Sequence, residues 1–199
     1  MTKPASRAAI TPATATNEPT DQPIPAPLHH YQLTSDELVR FNDVQVSYDG
    51  RQVLQHINWT INKGEFWQLK GPNGSGKTTL LTMITGDNVK GYGQELYIFN
   101  RKKGSGESVW DIKSKIGYLT PAMTDLFSTR HTLEQMIVSG FVDQIGLYSV
   151  PSDMQQRAAF EWIQLLQLEQ KTRLPFNKLS RGEQRLALIA RAMVKHPPL

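Results

Sequence analysis

"GPNGSGKT", residues 71–78, is the stretch on which the reading of this chain turns. It fits the pattern G-x-x-x-x-G-K-[ST] at every fixed position. Gly71, Gly74 and Gly76 permit a backbone path that β-carbons would obstruct. Such a path turns successive N–H groups inward, onto phosphate oxygens. Pro72, Asn73 and Ser75 complete the loop. Lys77 places a charge at the β- and γ-phosphates, and Thr78 offers a hydroxyl to Mg²⁺. With Thr79, these residues begin a helix whose positive N-terminus faces the same anion. An accidental fit is expected in roughly 1 in 100 chains of this length, or fewer. The context lowers that further: "KGEFWQLKG" before the loop reads as a turn and a buried strand of Phe66, Trp67 and Leu69. "KTTLLTMITG" after it reads as a helix stopped at Gly86. The pattern predicts binding of a nucleoside triphosphate. It does not separate a small-molecule kinase from a GTPase or an ATP-driven module.

Outward from the loop, the chain resolves into segments. The 199 residues hold 39% apolar and 20% charged side chains, the balance of an ordinary soluble domain. No apolar run approaches the roughly 20 residues that cross a bilayer, and residues 1–30 lack the apolar stretch of a secretory signal. With no cysteine, a disulfide framework is excluded. The formal net charge of +4 is too small and dispersed to argue for nucleic acid. Residues 1–33 hold six of the twelve prolines and read as a flexible or extended linker or tail. Order is expected from Leu38. "LVRFNDVQVSY" and "VLQHINWTI" alternate apolar and polar residues on either side of Asp49-Gly50, which predicts a hairpin. "QELYIF" and "KIGYL" read as further strands.

From about Leu126 the period becomes helical. "AAFEWIQLLQL" sets Phe160, Ile163, Leu166 and Leu168 near one face. "GEQRLALIARAMVK" sets Leu186, Ile189 and Met193 along a stripe expected to be buried, and Pro197 and Pro198 end that helix. The four tryptophans (Trp59, Trp67, Trp110, Trp162) read as core or interface packing. His29, His30, His56, His131 and His196 lack metal-ligand spacing. "RKK" at 101–103 reads as a solvated loop. No Ser-His-Asp or Cys-His arrangement is present.

About 100 residues beyond the phosphate loop lies "LSRGEQR", residues 179–185. It resembles the L-S-G-G-Q signature of ATP-binding cassette ATPases. Leu179, Ser180 and Gly182 match, Arg181 replaces the first glycine, and Glu183 stands where glutamine is commonest. By its chemistry alone the stretch is a helix start, Ser180 capping through Glu183. The resemblance adds that Ser180 and the Gly182 N–H meet the γ-phosphate of an ATP held by a partner cassette. It also implies that Tyr48, in "VSYDG", stacks on adenine; by itself a tyrosine at a strand end more often just packs.

The resemblance covers about residues 38–199. Within the family, "GEFWQLKGPNGSGKTTLL", "GSGESVWDIKSKIGYL" and "RLALIARAMVKHPPL" are similar to the second cassette of molybdenum-transport-type two-cassette proteins, also described as photorepair ATPases. It implies an α/β phosphate-loop NTPase of cassette type, with an antiparallel β subdomain and a helical subdomain. The implied arrangement is a linker at 1–33, β subdomain and loop core at 34–120, helical subdomain at 121–178, and signature and helix at 179–199. ATP and Mg²⁺ are the implied ligands. A second cassette, on the same or a tandem chain, is the implied partner, with a separate membrane permease for transport. The implied location is the cytoplasm, at most peripheral to the inner membrane. A soluble role in DNA repair or regulation, or a non-catalytic nucleotide-binding role, is the alternative. Two departures stand out. Pro121 occupies the point where many cassettes carry a glutamine that contacts Mg²⁺ and water. The family's Asp-Glu pair, which orients the metal and activates water, follows the strand after "KHPPL" and so is expected beyond Leu199. The expectation is therefore a cassette cut before that strand, with an incomplete sheet, unable to hydrolyse ATP alone.

Overall fold

The hairpin around Asp49-Gly50 forms in full in the computed structural model, which describes residues 9–12, 23–127 and 130–199. Both turn residues take positive φ (48° and 75°), the geometry whose twist matches that of the flanking strands. In chain order the strands are β1 (Ala9–Pro12), β2 (Glu37–Tyr48), β3 (Arg51–Asn62), β4 (Trp67–Lys70), β5 (Leu96–Ile98) and β6 (Arg101–Lys102). The helices are α1 (Lys77–Ile84), α2 (Val109–Lys113), α3 (Met123–Leu126), α4 (Leu133–Val138), α5 (Asp153–Leu165) and α6 (Arg181–Met193), with single 3₁₀ turns between several of them.

The chain divides into two units. The first is built on residues 32–113 with 9–12, and the second on 114–198 with 23–31. The break thus falls at Lys113–Ser114, a few residues before the point the sequence suggests. The expected segment 179–199 is also divided: residues 179–198 belong to the helical unit, whereas Leu199 groups with the first unit. α6 ends at Met193, and the residues after it, with two prolines, do not continue the helix. The first unit carries an antiparallel sheet in the order β3-β2-β5-β6, and a separate antiparallel pair β1-β4. Its buried side chains include Val39, Phe41, Val44 and Leu54 from the sheet and Leu80 and Met83 from α1. The second unit is helical, around Leu133, Met136, Ile137, Ala159, Trp162, Ile163, Phe176, Leu188 and Val194. Each large side chain so buried contributes about 1.5–3 kcal/mol. Capping boxes at Thr132/Gln135, Ser152/Gln155 and Ser180/Glu183 fix the starts of α4, α5 and α6.

Several expectations are corrected. Within the proline-rich start, Ala9–Pro12 is a paired strand in register with Trp67–Lys70; residues 1–8 and 13–22, with Pro4 and Pro19, lie outside the described residues. Phe66 is 61% exposed and Trp67 and Leu69 are only half-buried, because β4 pairs on one edge with the four residues of β1. "KIGYL" forms no ladder, and Tyr118 and Leu119 face outward. On α5 the buried face is Ala158, Ala159, Trp162 and Ile163, with Phe160 turned outward. Trp110 is exposed. Lys103 of "RKK" is buried, its ammonium 3.6 Å from Glu107 and over the Tyr92 ring.

The largest correction is α6. Leu186, Ile189 and Met193 are exposed, and the buried row runs through Gln184, Ala187, Leu188, Ala190 and Arg191. Two polar residues sit in that row because their heads find partners. Gln184 Nε2 donates to Phe176 O at 3.2 Å. Arg191 Nε donates to Ser139 Oγ at 3.2 Å and Nη2 to Gln144 O at 2.8 Å. A buried polar group so satisfied is tolerated. No helix among the described residues is long and apolar enough to cross a membrane.

Candidate nucleotide site

The phosphate loop joins β4 to α1, as the pattern requires. Gly76 is the residue before the helix, at φ 94°. That left-handed conformation already favours glycine. The hairpin adds a second reason: a β-carbon at Gly76 would meet Leu54 Cδ2 at 2.6 Å and Val53 O at 3.3 Å. Gly76 gives α1 no side-chain cap, and the first turn carries no acidic residue. The initial N–H groups and the positive helix end are thereby left for an anion. Ser75 Oγ is buried without a hydrogen-bond partner. Lys77 Nζ donates to the carbonyls of Gly71 at 2.6 Å and Pro72 at 2.8 Å, which holds the ammonium over the loop.

A cleft of about 700 Å³ opens there, lined by Tyr48, Asp49, Arg51, Val53, Asn73, Gly74, Gly76, Lys77, Thr78 and Thr79. The volume lies within the range of small-molecule sites. Six of the expected residues and Tyr48 share this wall. Gly71 and Pro72 act from behind it through Lys77, and Ser75 is buried beside it. The expected set omits Asp49, Arg51 and Val53. Their signal lay in the hairpin register, since Arg51 pairs directly with Tyr48. Tyr48 Oη contacts the Asn88 side chain, and Lys90 Nζ stands 5.5 Å from the ring centroid.

The residues fit a metal carried by the ligand's phosphates. Thr78 supplies a hydroxyl from the helix start, and among the described residues no cluster of three His, Cys, Asp or Glu competes for the ion. Mg²⁺ is commonly held this way, through few protein ligands and substrate phosphates.

The signature residues lie in the helical unit. Leu179 is buried. Ser180 caps α6, with its Oγ accepting from Glu183 N at 3.3 Å and its N–H donating to Glu183 Oε2 at 2.9 Å. Glu183 also pairs with Lys171. The Lys171 ammonium, then the Ser180 N–H and hydroxyl, hold the Glu183 carboxyl at about 2, far below its ordinary value. Arg181, Gly182 and Arg185 line a second cleft with Leu119, Thr120, Pro121, Thr124, Asp125 and Leu188. Pro121 has no amide on its side chain and no N–H, so it offers no donor there.

Comparison with known proteins adds the lineage. The family model described as ABC transporter matches residues 54–199. The ABC transporter ATP-binding protein ModF of Escherichia coli K12 is 44% identical over 176 residues, which cover 88% of this chain and 36% of that protein. The zinc uptake system ATP-binding protein ZurA of Listeria innocua is 28% identical, covering 82% of this chain and 62% of that one. Among solved structures, a dimeric bacterial ABC transporter cassette is 25% identical with a TM-score of 0.61, covering 80% of this chain and 71% of the other. The cbiO1 protein of Clostridium perfringens, part of an ABC transporter complex, is 22% identical with a TM-score of 0.65, covering 81% and 63%. The present chain spans about a third of the length of ModF.

Proposed function

This chain belongs to the ABC transporter family of ATP-binding cassettes, an α/β phosphate-loop fold, and from that premise we propose that it binds MgATP and works by closing against a second cassette. The observation that carries the reading is the shared cleft, which Lys77, Thr78 and Thr79 line together with Tyr48. In this reading the loop N–H groups, the α1 terminus and Lys77 bind the β- and γ-phosphates. Thr78 takes a Mg²⁺ position, which neutralises phosphate charge, and Tyr48 stacks on the base. Gly71, Pro72, Asn73, Gly74, Ser75 and Gly76 shape the cradle. Leu179, Ser180, Arg181, Gly182 and Glu183 present a second helix start to the γ-phosphate on the partner cassette.

Hydrolysis is proposed for the paired assembly. No described residue is assigned the water-activating role. For transport the proposed partner is a separate membrane permease, with this chain on the cytoplasmic side. A role in repair or regulation is favoured by one observation: Pro121 stands where many cassettes carry the glutamine that contacts Mg²⁺ and water.

Replacing Lys77 with Ala should weaken MgATP binding by about 2–4 kcal/mol, since a charge-assisted contact to phosphate is lost. Calorimetric titration measures it, and equal affinity in both proteins would sink the assignment.

A further inference from the structure

Tyr48 ends β2, and its ring is partly exposed at the rim of the cleft. A phenol in that position is free to rotate, and ordering it on ligand binding lowers affinity. Something must hold it if it is to stack. Asn88 lies just beyond α1, next to the single turn Val89–Gly91. It is fixed from both sides: its N–H donates to Thr82 O at 3.0 Å, and its Oδ1 accepts from Lys90 N at 3.0 Å. Its amide group then reaches in two directions. Nδ2 donates to Tyr48 Oη at 2.9 Å and to Thr82 Oγ1 at 3.2 Å. The Thr82 hydroxyl donates onward to Thr78 O at 2.8 Å. Both amide hydrogens are used: one ends on Tyr48 at the rim of the cleft, the other on Thr82 of α1, which is linked in turn to Thr78 in the cleft wall. Neither Asn88 nor Lys90 lines the cleft itself.

We propose that Asn88 is a positioning residue for nucleobase recognition, a strut that ties the Tyr48 ring to α1 and sets the spacing between the base and the phosphates. The strut rests on the reading of the cleft as an ATP site. Only asparagine offers two donors and an acceptor at this reach; aspartate has no donor and alanine has no polar atom. Lys90, over the ring, braces it further. Because the strut acts on the base and not on the phosphates, its loss should separate the two.

The test is calorimetry on the full chain with two titrants, MgATP and Mg-bound inorganic triphosphate, for wild type, Asn88→Ala, Tyr48→Phe, the double variant and Tyr48→Ala. Asn88→Ala should weaken ATP about five- to tenfold, through loss of the side-chain contact that holds the ring, and leave triphosphate within about twofold. Tyr48→Phe should do the same, and the double variant should be no worse than the weaker single, since both remove one contact. Equal loss for both titrants would make Asn88 a scaffold residue and overturn the proposal. Unchanged ATP affinity in Asn88→Ala, with Tyr48→Ala impaired, would overturn the strut and spare the stacking. An unimpaired Tyr48→Ala would overturn both. Should Asn88→Ala fail to fold, Tyr48→Phe decides: it must lose ATP affinity and keep triphosphate affinity, and any other result refutes the strut.

Discussion

Glu183 does two things at the start of α6. It closes the capping box with Ser180, and it pairs with Lys171, the last residue of the turn Glu169–Lys171. Both interactions stabilise the ionised carboxylate and hold it at about 2, against an ordinary value of 4.5. A carboxyl depressed in the folded state stabilises the fold above its unfolded value and loses that contribution as pH falls through its folded value. Glutamine keeps the capping geometry but not the charge. Wild type should therefore be more stable than Glu183→Gln near neutral pH, with the gap narrowing from about pH 4.5 down to about 2. Thermal unfolding followed by circular dichroism along that series measures it. A gap that does not narrow as pH falls would mean that the ionised carboxylate does not carry the difference. Single residues of this kind were legible in the sequence wherever the chemistry is local. The loop glycines, Lys77 and the Ser180–Glu183 pair each act within a few positions of one another. Asn88 was not legible, because its two partners lie 40 and 6 residues away and its type is common in turns.

Elements were legible in kind more than in orientation. The hairpin, α1, α5 and α6 follow from alternation, helical period and capping. What the pattern misassigned was which face α6 buries. Counting apolar residues selects Leu186, Ile189 and Met193, whereas the buried row includes Gln184 and Arg191, whose partners come from other elements. "KIGYL" failed for a related reason: a strand exists only with a neighbour, and sequence alone does not supply one. The packing of α6 against the turn after α4 is close enough to be tested. Gly140 is fully enclosed there, and an added β-carbon would collide with the Arg191 carbonyl and meet Val194 Cγ1 at 2.9 Å. Gly140→Ala should destabilise the helical unit by about 1–3 kcal/mol through overpacking. Denaturant unfolding reads this directly. A neutral result would mean that α6 shifts to make room, and that the buried Arg191 contacts to Ser139 and Gln144 tolerate the movement.

At the scale of the whole molecule, the family and the α/β fold were legible because two motifs about 100 residues apart are each bound to a definite chemistry. Assembly is a different matter, since a partner leaves no trace in one chain except the surface it would meet. The proposed surface is the start of α6, where Ser180 and Gly182 are exposed and a β-carbon at Gly182 would meet nothing within 4 Å. That openness suits an approaching phosphate. If the signature serves the partner's nucleotide, Ser180 can be changed without touching the chain's own loop. Ser180→Arg should leave MgATP affinity of the monomer unchanged, because Lys77, Thr78 and Tyr48 are intact. It should abolish pairing driven by a slowly hydrolysed ATP analogue in a cassette pair, where a bulky cation would stand in place of a small hydroxyl. Light scattering with and without the analogue separates the outcomes. Pairing that persists would remove Ser180 from the interface. Loss of monomer binding would instead place the signature at the chain's own nucleotide, and the closure of one cassette on another would have to be sought on a different surface.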